Sequence, residues 1–561
     1  MKPVENSACQ PDCRTNATKL KAPGTVSSLL ILTAVTLGCL LPFIGKAFHI
    51  DDPLFVWCAR HLQTHPVDFY GFNVNWEGHE AAMSSVTRNP PLACYYLALI
   101  GALAGWSEVA LHAGFLLPAL AVVIGTFFLA RNFCSHPLWA ALVTVTAPVF
   151  VLTGTSVMCD MMMMAFWVWS VHFWVEGLET GNAPKLWLAA LLMAACSLTK
   201  YFGLSLIPLL LIYSLWKQRR PGRWLACLAL PVVAFASYHW LAGRLYGHGM
   251  LLGAISYATH LRVGGDLVSK ILAGLAFGGG CLVVLLPAAP CLWGTKGLVA
   301  GVVAALGIGC LVVVTGKVGI YPVVGAEKVD WLFVIQISLF VIAGISLLFL
   351  AAADLLKQRT PASALLFFWV MGTFIFASVV NWTVSGRNIL PLVPAVSLLL
   401  VRRLEARRSL QGRDGLRCLA VPLGVSLGVA LLVTHADYVL ANSARTAASV
   451  LMQQLSTTSS GVGFEGHWGF QYYMEQLGAT ALDRRNLRLA PNEAIVVPLR
   501  NSYLFPLPAE RVELQSDYRV AGSKWLATMN PPAGYYSDGW GPLPFAFCSN
   551  PPQEYLVLRV R

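Results

Sequence analysis

The chain has 561 residues, of which 57% are hydrophobic and only 12% charged, with a formal net charge of +12. This composition excludes a soluble enzyme built around one large core and describes a polytopic membrane protein. Lys and Arg fall in short clusters between apolar segments, the positive-inside pattern with attraction to anionic lipid headgroups as a second effect, and no stacking motif or long basic stripe points to nucleic acid.

The N-terminal tail, residues 1–23, carries Lys2, Arg14, Lys19 and Lys21, which assigns it to the cytoplasm. The first apolar segment, Val26 to Phe48, is longer than a signal-peptide core and ends without a small-x-small cleavage site. It is expected to remain as a membrane helix and signal anchor. It delivers Asp51 and Asp52 to the outer face. A polar stretch to Asn89 follows, with Trp57, Tyr70, Trp76 and His79, suited to short helices lying at the interface.

Pro90 to Trp106 is apolar but about as short as a spanning helix can be. If it spanned, Lys217, Arg219, Arg220 and Arg223 would fall outside, as would Arg402, Arg403, Arg407, Arg408, Arg413 and Arg417. If it lies along or dips into the outer leaflet, these clusters are cytoplasmic, which the charge rule favours. The external loop then covers 49–106. Helix 2 runs inward from Val109 to Ala130, helix 3 returns from Pro137 to Ser156, and helix 4 goes in from Cys159 to Val175. Helix 5 comes out from Pro184 to Thr199, helix 6 goes in to Trp216, and helix 7 comes out to Gly243. An outer loop holds Arg244, His248, His260 and Arg262. Helices 8 and 9 form a pair around Lys296, and Lys317 to Asp330 is an outer loop. Helices 10 and 11 reach Lys357 and Ser385, helix 12 passes Pro391 and Pro394, and helix 13 runs from Cys418 to Thr434. The expectation is an all-α polytopic protein of about 13 spans. Its transmembrane domain covers 24–435.

Residues 436–561 fall outside by this parity. They are rich in Pro, Tyr, Asn, Arg and Asp, with strand-like runs at Ala494–Leu499 and Tyr555–Val560, and predict a small external α/β domain. Trp468, Tyr472 and Tyr473 suit either a sugar site there or the domain core. The 14 cysteines are scattered. Cys39, Cys196, Cys227 and Cys310 lie in apolar segments as small hydrophobes, Cys9 and Cys13 lack partners at zinc spacing, and Cys548 has no neighbouring cysteine, so no disulfide scaffold is expected.

Parity also gathers polar residues on one side. Asp51 and Asp52 follow helix 1, and a carboxylate at a membrane boundary is costly to keep, which marks a functional candidate beside the plainer reading of a solvated loop. Asp160 opens helix 4, where it also suits a helix N-terminus. Lys200 closes helix 5 and Arg387 opens helix 12, where each also suits snorkelling to the interface. Arg88 precedes Asn89-Pro-Pro91. Acidic and basic groups at one depth build a polar cavity at the outer leaflet. Such a cavity suits transfer from a lipid-linked phosphate donor, with cations holding the phosphate and a carboxylate accepting the proton of an attacking hydroxyl. No cofactor is required by this reading. A divalent metal ion is the one candidate, with Glu77, His79 and Glu80 as candidate ligands, whereas His248, His260 and His467 lack ligand spacing.

Short motifs carry a resemblance. These are His49-Ile-Asp-Asp-Pro-Leu54 with Ala59-Arg-His-Leu62, Arg88-Asn-Pro-Pro-Leu92, Met158-Cys-Asp-Met161, Leu198-Thr-Lys-Tyr201 and Arg387-Asn-Ile-Leu-Pro391. In order, spacing and sidedness they resemble the GT-C glycosyltransferases, glycosyltransferase family 39-like, in the group of protein O-mannosyltransferases and the lipid A aminoarabinose transferase. The resemblance implies that Asp51 is the base-like catalytic carboxylate supported by Asp52, that Asp160 is a second acceptor-site carboxylate, and that Lys200, Arg387 and Arg88 contact the donor phosphate. Many relatives carry a basic residue or His directly before the Pro of the interfacial segment, where this chain has Asn89. The implied partners are a polyprenyl-phosphate sugar donor, a lipid, glycan or protein acceptor, and membrane lipids. The compact loops and external tail favour a multi-pass protein of a bacterial inner membrane with its site facing the periplasm, and an endoplasmic reticulum location keeps the same topology. A transporter or flippase is the other class considered. Gly278-Gly-Gly280 is its best feature, although such a run also permits close helix packing. A non-catalytic membrane subunit is the third.

Overall fold

The computed structural model describes residues 24–260, 267–325, 328–407 and 412–561. The N-terminal tail with its four basic residues and Cys9 and Cys13, together with Arg262 and Arg408, lies outside the described residues, as do the side chains of His260, Arg413 and Arg417.

Seven described helices are long and apolar enough to cross a membrane: Thr25–Phe43, Glu108–Ala130, Trp224–Tyr246, Leu285–Thr315, Trp331–Gln358, Pro361–Val380 and Cys418–Leu455. The other expected spans are shorter, interrupted or more polar. Pro137–Val145 and Pro148–Thr153 form two pieces, because Pro148 has no N–H to continue the first helix. Cys159–Thr180 carries Asp160, Glu176 and Glu179 within 22 residues and is buried along most of its length. The Leu285–Thr315 helix shows the lipid-facing pattern, with Val299, Val302, Val303 and Leu306 exposed on an apolar surface.

The ambiguous segment forms a helix, Leu92–Ala104, of 13 residues. At 1.5 Å per residue it is about 20 Å long, shorter than a bilayer core of roughly 30 Å. It packs against Asp52–Thr64, itself an amphipathic helix. The Gly278-Gly-Gly280 run is spent on packing. The Leu267–Cys281 helix lies so close to Trp331–Gln358 that a Cβ at Gly279 would collide with the Phe340 carbonyl oxygen.

The last membrane helix does not stop near Thr434. It continues as one element, Gly412–Leu455, through the 435/436 position where composition changes. The C-terminal sheet sits at its far end. Strand order is Thr480–Ala481, Val462–Phe464, Ala494–Pro498, Gln553–Val560 and Val512–Val520. The two runs read as strands pair with each other, antiparallel, with Tyr555 opposite Pro498. Tyr472 and Tyr473, on the Trp468–Gln476 helix, are buried where this domain meets the membrane bundle. Tyr473 donates to Glu108 at 2.9 Å and accepts from the Phe48 amide at 2.8 Å. Cys39, Cys196 and Cys227 are buried and Cys310 is exposed. Cys291 and Cys418 are joined in a disulfide, a pairing that their scattered positions do not announce.

Candidate active site

Three helix ends and a one-turn helix converge on a cavity of about 970 Å³. Asp51 is the N-cap residue of Asp52–Thr64, but its side chain makes no capping bond. Ile50 before it has a φ of 49°, and the chain turns so that the Asp51 carboxylate meets Arg387 at 2.9 Å. Arg387 stands in the one-turn helix Gly386–Ile389, whose N-cap Ser385 accepts from the Asn388 amide. Its other nitrogen lies 4.0 Å from Asp160.

Asp160 is not the N-cap of its helix, a position held by Met158. Its carboxylate is 1% exposed and pairs with Lys200 at 2.6 Å. Lys200 closes Ala183–Thr199 in an extended conformation. Instead of snorkelling to the interface, its Nζ turns back to Asp160 and to the Asn388 side-chain Oδ1 at 3.3 Å. The structure therefore brings Asp51, Arg387, Asp160 and Lys200 into one alternating chain of charge, with Asn388 beside it. Alternation lets each desolvated charge face an opposite one, which a partly buried site requires.

Arg88 lines the same cavity, with its guanidinium 4.6 Å from the Tyr257 ring centroid and bonded to the Ser85 carbonyl. Asp52 does not line the cavity. It is fully buried, and its two oxygens accept from the amides of His49 and Val157, both at 2.9 Å. It thereby ties the Asp51 turn to the loop that precedes Asp160. Burial pushes its carboxyl up to about 7, against the opposing pull of Lys46 and the two amides. Among the described residues no group of three or more His, Cys, Asp or Glu side chains could hold a metal ion. Glu80 bonds instead to Asn73 across a two-stranded hairpin, at 3.1 Å.

The cavity has two characters. Below the charged groups its wall is apolar, with Phe202, Leu209, Ile212, Phe368 and Phe376. Toward the C-terminal domain it is aromatic, with Trp76, Trp468, Tyr503 and Trp540. Trp468 thus belongs to the cavity, unlike Tyr472 and Tyr473. Among the described residues, six other than glycine have positive φ. Arg219 and Arg359 are helix C-caps and Asn492 tolerates that region. The other three, Ile50, Trp468 and Tyr503, all line the cavity, where backbone strain concentrates at ligand-facing walls.

Two groups escaped the sequence reading. Lys46, inside the first apolar segment, forms a fully buried pair with Asp437 at 2.6 Å. Asp437 also accepts from Thr528 at 3.0 Å and Tyr536 at 2.9 Å. The available signal was a lone lysine within an apolar stretch, but its partner lies 391 positions away.

The bundle thus presents paired carboxylates and cations at its helix ends, beside an apolar groove. Residues 88–240 match the family described as dolichyl-phosphate-mannose-protein mannosyltransferase. That match spans Arg88, Asp160 and Lys200. No curated protein matches the chain. Among solved structures, ArnT from Cupriavidus metallidurans bound to undecaprenyl phosphate aligns at 13% identity and a TM-score of 0.45, covering 84% of this chain and 93% of its own. The oligosaccharyltransferase of Archaeoglobus fulgidus, tethered to an acceptor peptide, aligns at 11% identity and a TM-score of 0.46, covering 81% of this chain and 63% of its own.

Proposed function

We propose that this protein transfers a hexosyl or pentosyl unit from a polyprenyl-phosphate-linked donor to a hydroxyl or phosphate on a lipid, glycan or protein acceptor. The reading places the reaction at the periplasmic face of a bacterial inner membrane. One observation carries it: the Asp51–Arg387–Asp160–Lys200 chain stands at the polar end of a cavity whose remaining walls are apolar and aromatic. A molecule with a phosphate head and a hydrocarbon tail matches that division.

In this reading Arg387 and Lys200 receive the donor phosphate, and Arg88 meets it from the other side. As Arg387 turns to phosphate it releases Asp51. The acceptor oxygen attacks the anomeric carbon while the carbon–oxygen bond to phosphate breaks, in a direct, inverting displacement. The bonding electrons leave with the polyprenyl phosphate, whose charge Arg387 and Lys200 stabilise. The proton of an acceptor hydroxyl passes to the Asp51 carboxylate and from there to water. Asp52 acts behind the site by fixing the Asp51 turn, and Asp160 keeps Lys200 aimed into the cavity.

The test is transfer of radiolabelled sugar from polyprenyl-phosphate donors in reconstituted liposomes, comparing wild type with Asp51→Asn, both first shown to be monodisperse by gel filtration. Wild-type transfer with a loss of at least a hundredfold in the variant supports the reading. Equal transfer by both removes Asp51 from its role. Movement of lipid or solute across the bilayer without any transfer overturns the enzyme in favour of a transporter.

A further inference from the structure

The external domain reaches into the membrane bundle at the turn that carries Arg387. Residues 535–538 clasp residues 383–386 through consecutive backbone groups. The Gly386 amide donates to the Tyr535 carbonyl at 2.7 Å, and the Asp538 amide donates to the Val384 carbonyl at 2.9 Å. The Asp538 carboxylate in turn accepts from the Val384 amide and from the Thr383 hydroxyl. Contact is close enough that a Cβ at Gly386 would collide with the Tyr535 ring. Thr153, on the helix before Asp160, shares a hydrogen bond with the Tyr535 hydroxyl at 2.7 Å.

Tyr536 stands at the centre of this clasp. Its ring lies 5.6 Å from the Arg387 guanidinium carbon, within the range of a cation–π contact. Its hydroxyl donates to Asp437 at 2.9 Å, and Asp437 is held in turn by Lys46 and Thr528. Lys46 and Asp51 flank one short loop. The contacts therefore close a ring: Asp51 to Arg387, Arg387 to Tyr536, Tyr536 to Asp437, Asp437 to Lys46, and back along the chain to Asp51. Three of the four links are charge-assisted or fully buried, where such networks have few alternative arrangements.

We propose that the external domain is a working part of the site and that Tyr536 is a positioning residue for Arg387, its ring fixing the plane and reach of the guanidinium while Asp437 fixes the ring. The role of Arg387 toward a phosphate rests on the function proposed above, whereas its placement by Tyr536 does not. A free arginine side chain samples many rotamers. A guanidinium bonded to a carboxylate and set over an aromatic face is already arranged for a phosphate, so little ordering entropy is lost when the ligand arrives.

The experiment compares full-length wild type with Tyr536→Phe and Tyr536→Met, and with Tyr536→Leu as a second non-aromatic variant should Met fail to fold. Phe keeps the ring and loses the hydroxyl, whereas Met fills space with a flexible chain and loses the ring. Two readouts are taken on detergent-purified, monodisperse protein. The first is the rate of phenylglyoxal modification at Arg387, followed by mass spectrometry with exposed Arg485 as the internal reference. The second is binding of undecaprenyl phosphate. The expected result is a several-fold faster modification and about tenfold weaker binding in the non-aromatic variant, with Phe, which keeps the ring but loses its tie to Asp437, between that variant and wild type in both. A role limited to stability predicts instead that both readouts follow the melting temperatures of the variants. Equal modification rates in all proteins overturn the proposal, as does equal acceleration in Phe and Met. If wild type fails to bind undecaprenyl phosphate while the modification rates behave as expected, the proposed function fails and the positioning of Arg387 by the external domain stands.

Discussion

The carboxyl of Asp52 sets burial against hydrogen bonding, and the balance is measurable as a pH dependence. Two backbone amides favour its anion, each at 2.9 Å, and Lys46 adds attraction, yet full burial dominates and the group is pushed from 3.8 to about 7. The unfolded chain therefore releases this proton near pH 4 and the folded chain near pH 7. Between those values the folded state binds more protons than the unfolded one, so stability falls as pH rises, by about 1.4 kcal/mol per pH unit. The contribution is complete below pH ~4 and is lost as pH passes 7, an interval worth on the order of 4 kcal/mol. Asp52→Asn has no charge to titrate and is flat in this window. It also turns an NH₂ group toward one of the two amide donors, which costs about 1–3 kcal/mol at every pH. The variant is thus expected to be less stable than wild type at pH 5 and to close the gap by pH 7.5. The assay is thermal unfolding of both proteins in one detergent at pH 5, 6, 7 and 7.5, read by intrinsic tryptophan fluorescence. Glu465, raised to about 7 by burial, and His49, lowered to about 4, titrate in both proteins and largely cancel in the difference. A difference that stays constant from pH 5 to 7.5 would refute the reasoning, because it would mean that Lys46 and the two amides hold Asp52 as an anion throughout.

Two further outcomes follow from the same network. Lys46→Met leaves Asp437 charged and without its partner in a fully buried position, and is expected to cost about 3–5 kcal/mol. The partly exposed pair of Lys185 and Glu176 serves as the control, since Lys185→Met should cost under about 1 kcal/mol, and equal falls in melting temperature would contradict the ranking. Gly386→Ala puts a Cβ into the Tyr535 ring, with an overpacking cost of about 1–3 kcal/mol. It should also displace the Arg387 turn and weaken undecaprenyl phosphate binding, so a variant that melts and binds as wild type does would show that the turn is not clamped there.

Much of the architecture is legible from composition because the constraint is one-dimensional. A bilayer demands long apolar helices with their backbone groups satisfied internally, and the placement of Lys and Arg between them is visible along the chain. The shortness of the segment after Pro90 is likewise a property of its length, and it appears as the helix Leu92–Ala104. Asp51, Asp160, Lys200 and Arg387 could be named as candidates because each polar residue stands at the end of an apolar run, where its cost singles it out. Strands at Ala494–Pro498 and Gln553–Val560 are announced by their alternating, β-branched sequence.

What the sequence could not decide is which of two adjacent carboxylates does what, and what holds the cations in place. Asp51 and Asp52 are neighbours in the chain, but the helix start between them sends Asp51 to Arg387 and Asp52 inward to two amides. Lys200 and Arg387 read alone as residues that reach for water, and only the crossing of their helices with Cys159–Thr180 supplies Asp160 as a nearer partner. The buried Lys46–Asp437 pair and the Arg387–Tyr536 contact join positions well over a hundred residues apart. A residue's cost of burial is local and can be read from its neighbours in sequence, whereas its compensation is supplied by whichever side chain the fold brings within about 3 Å.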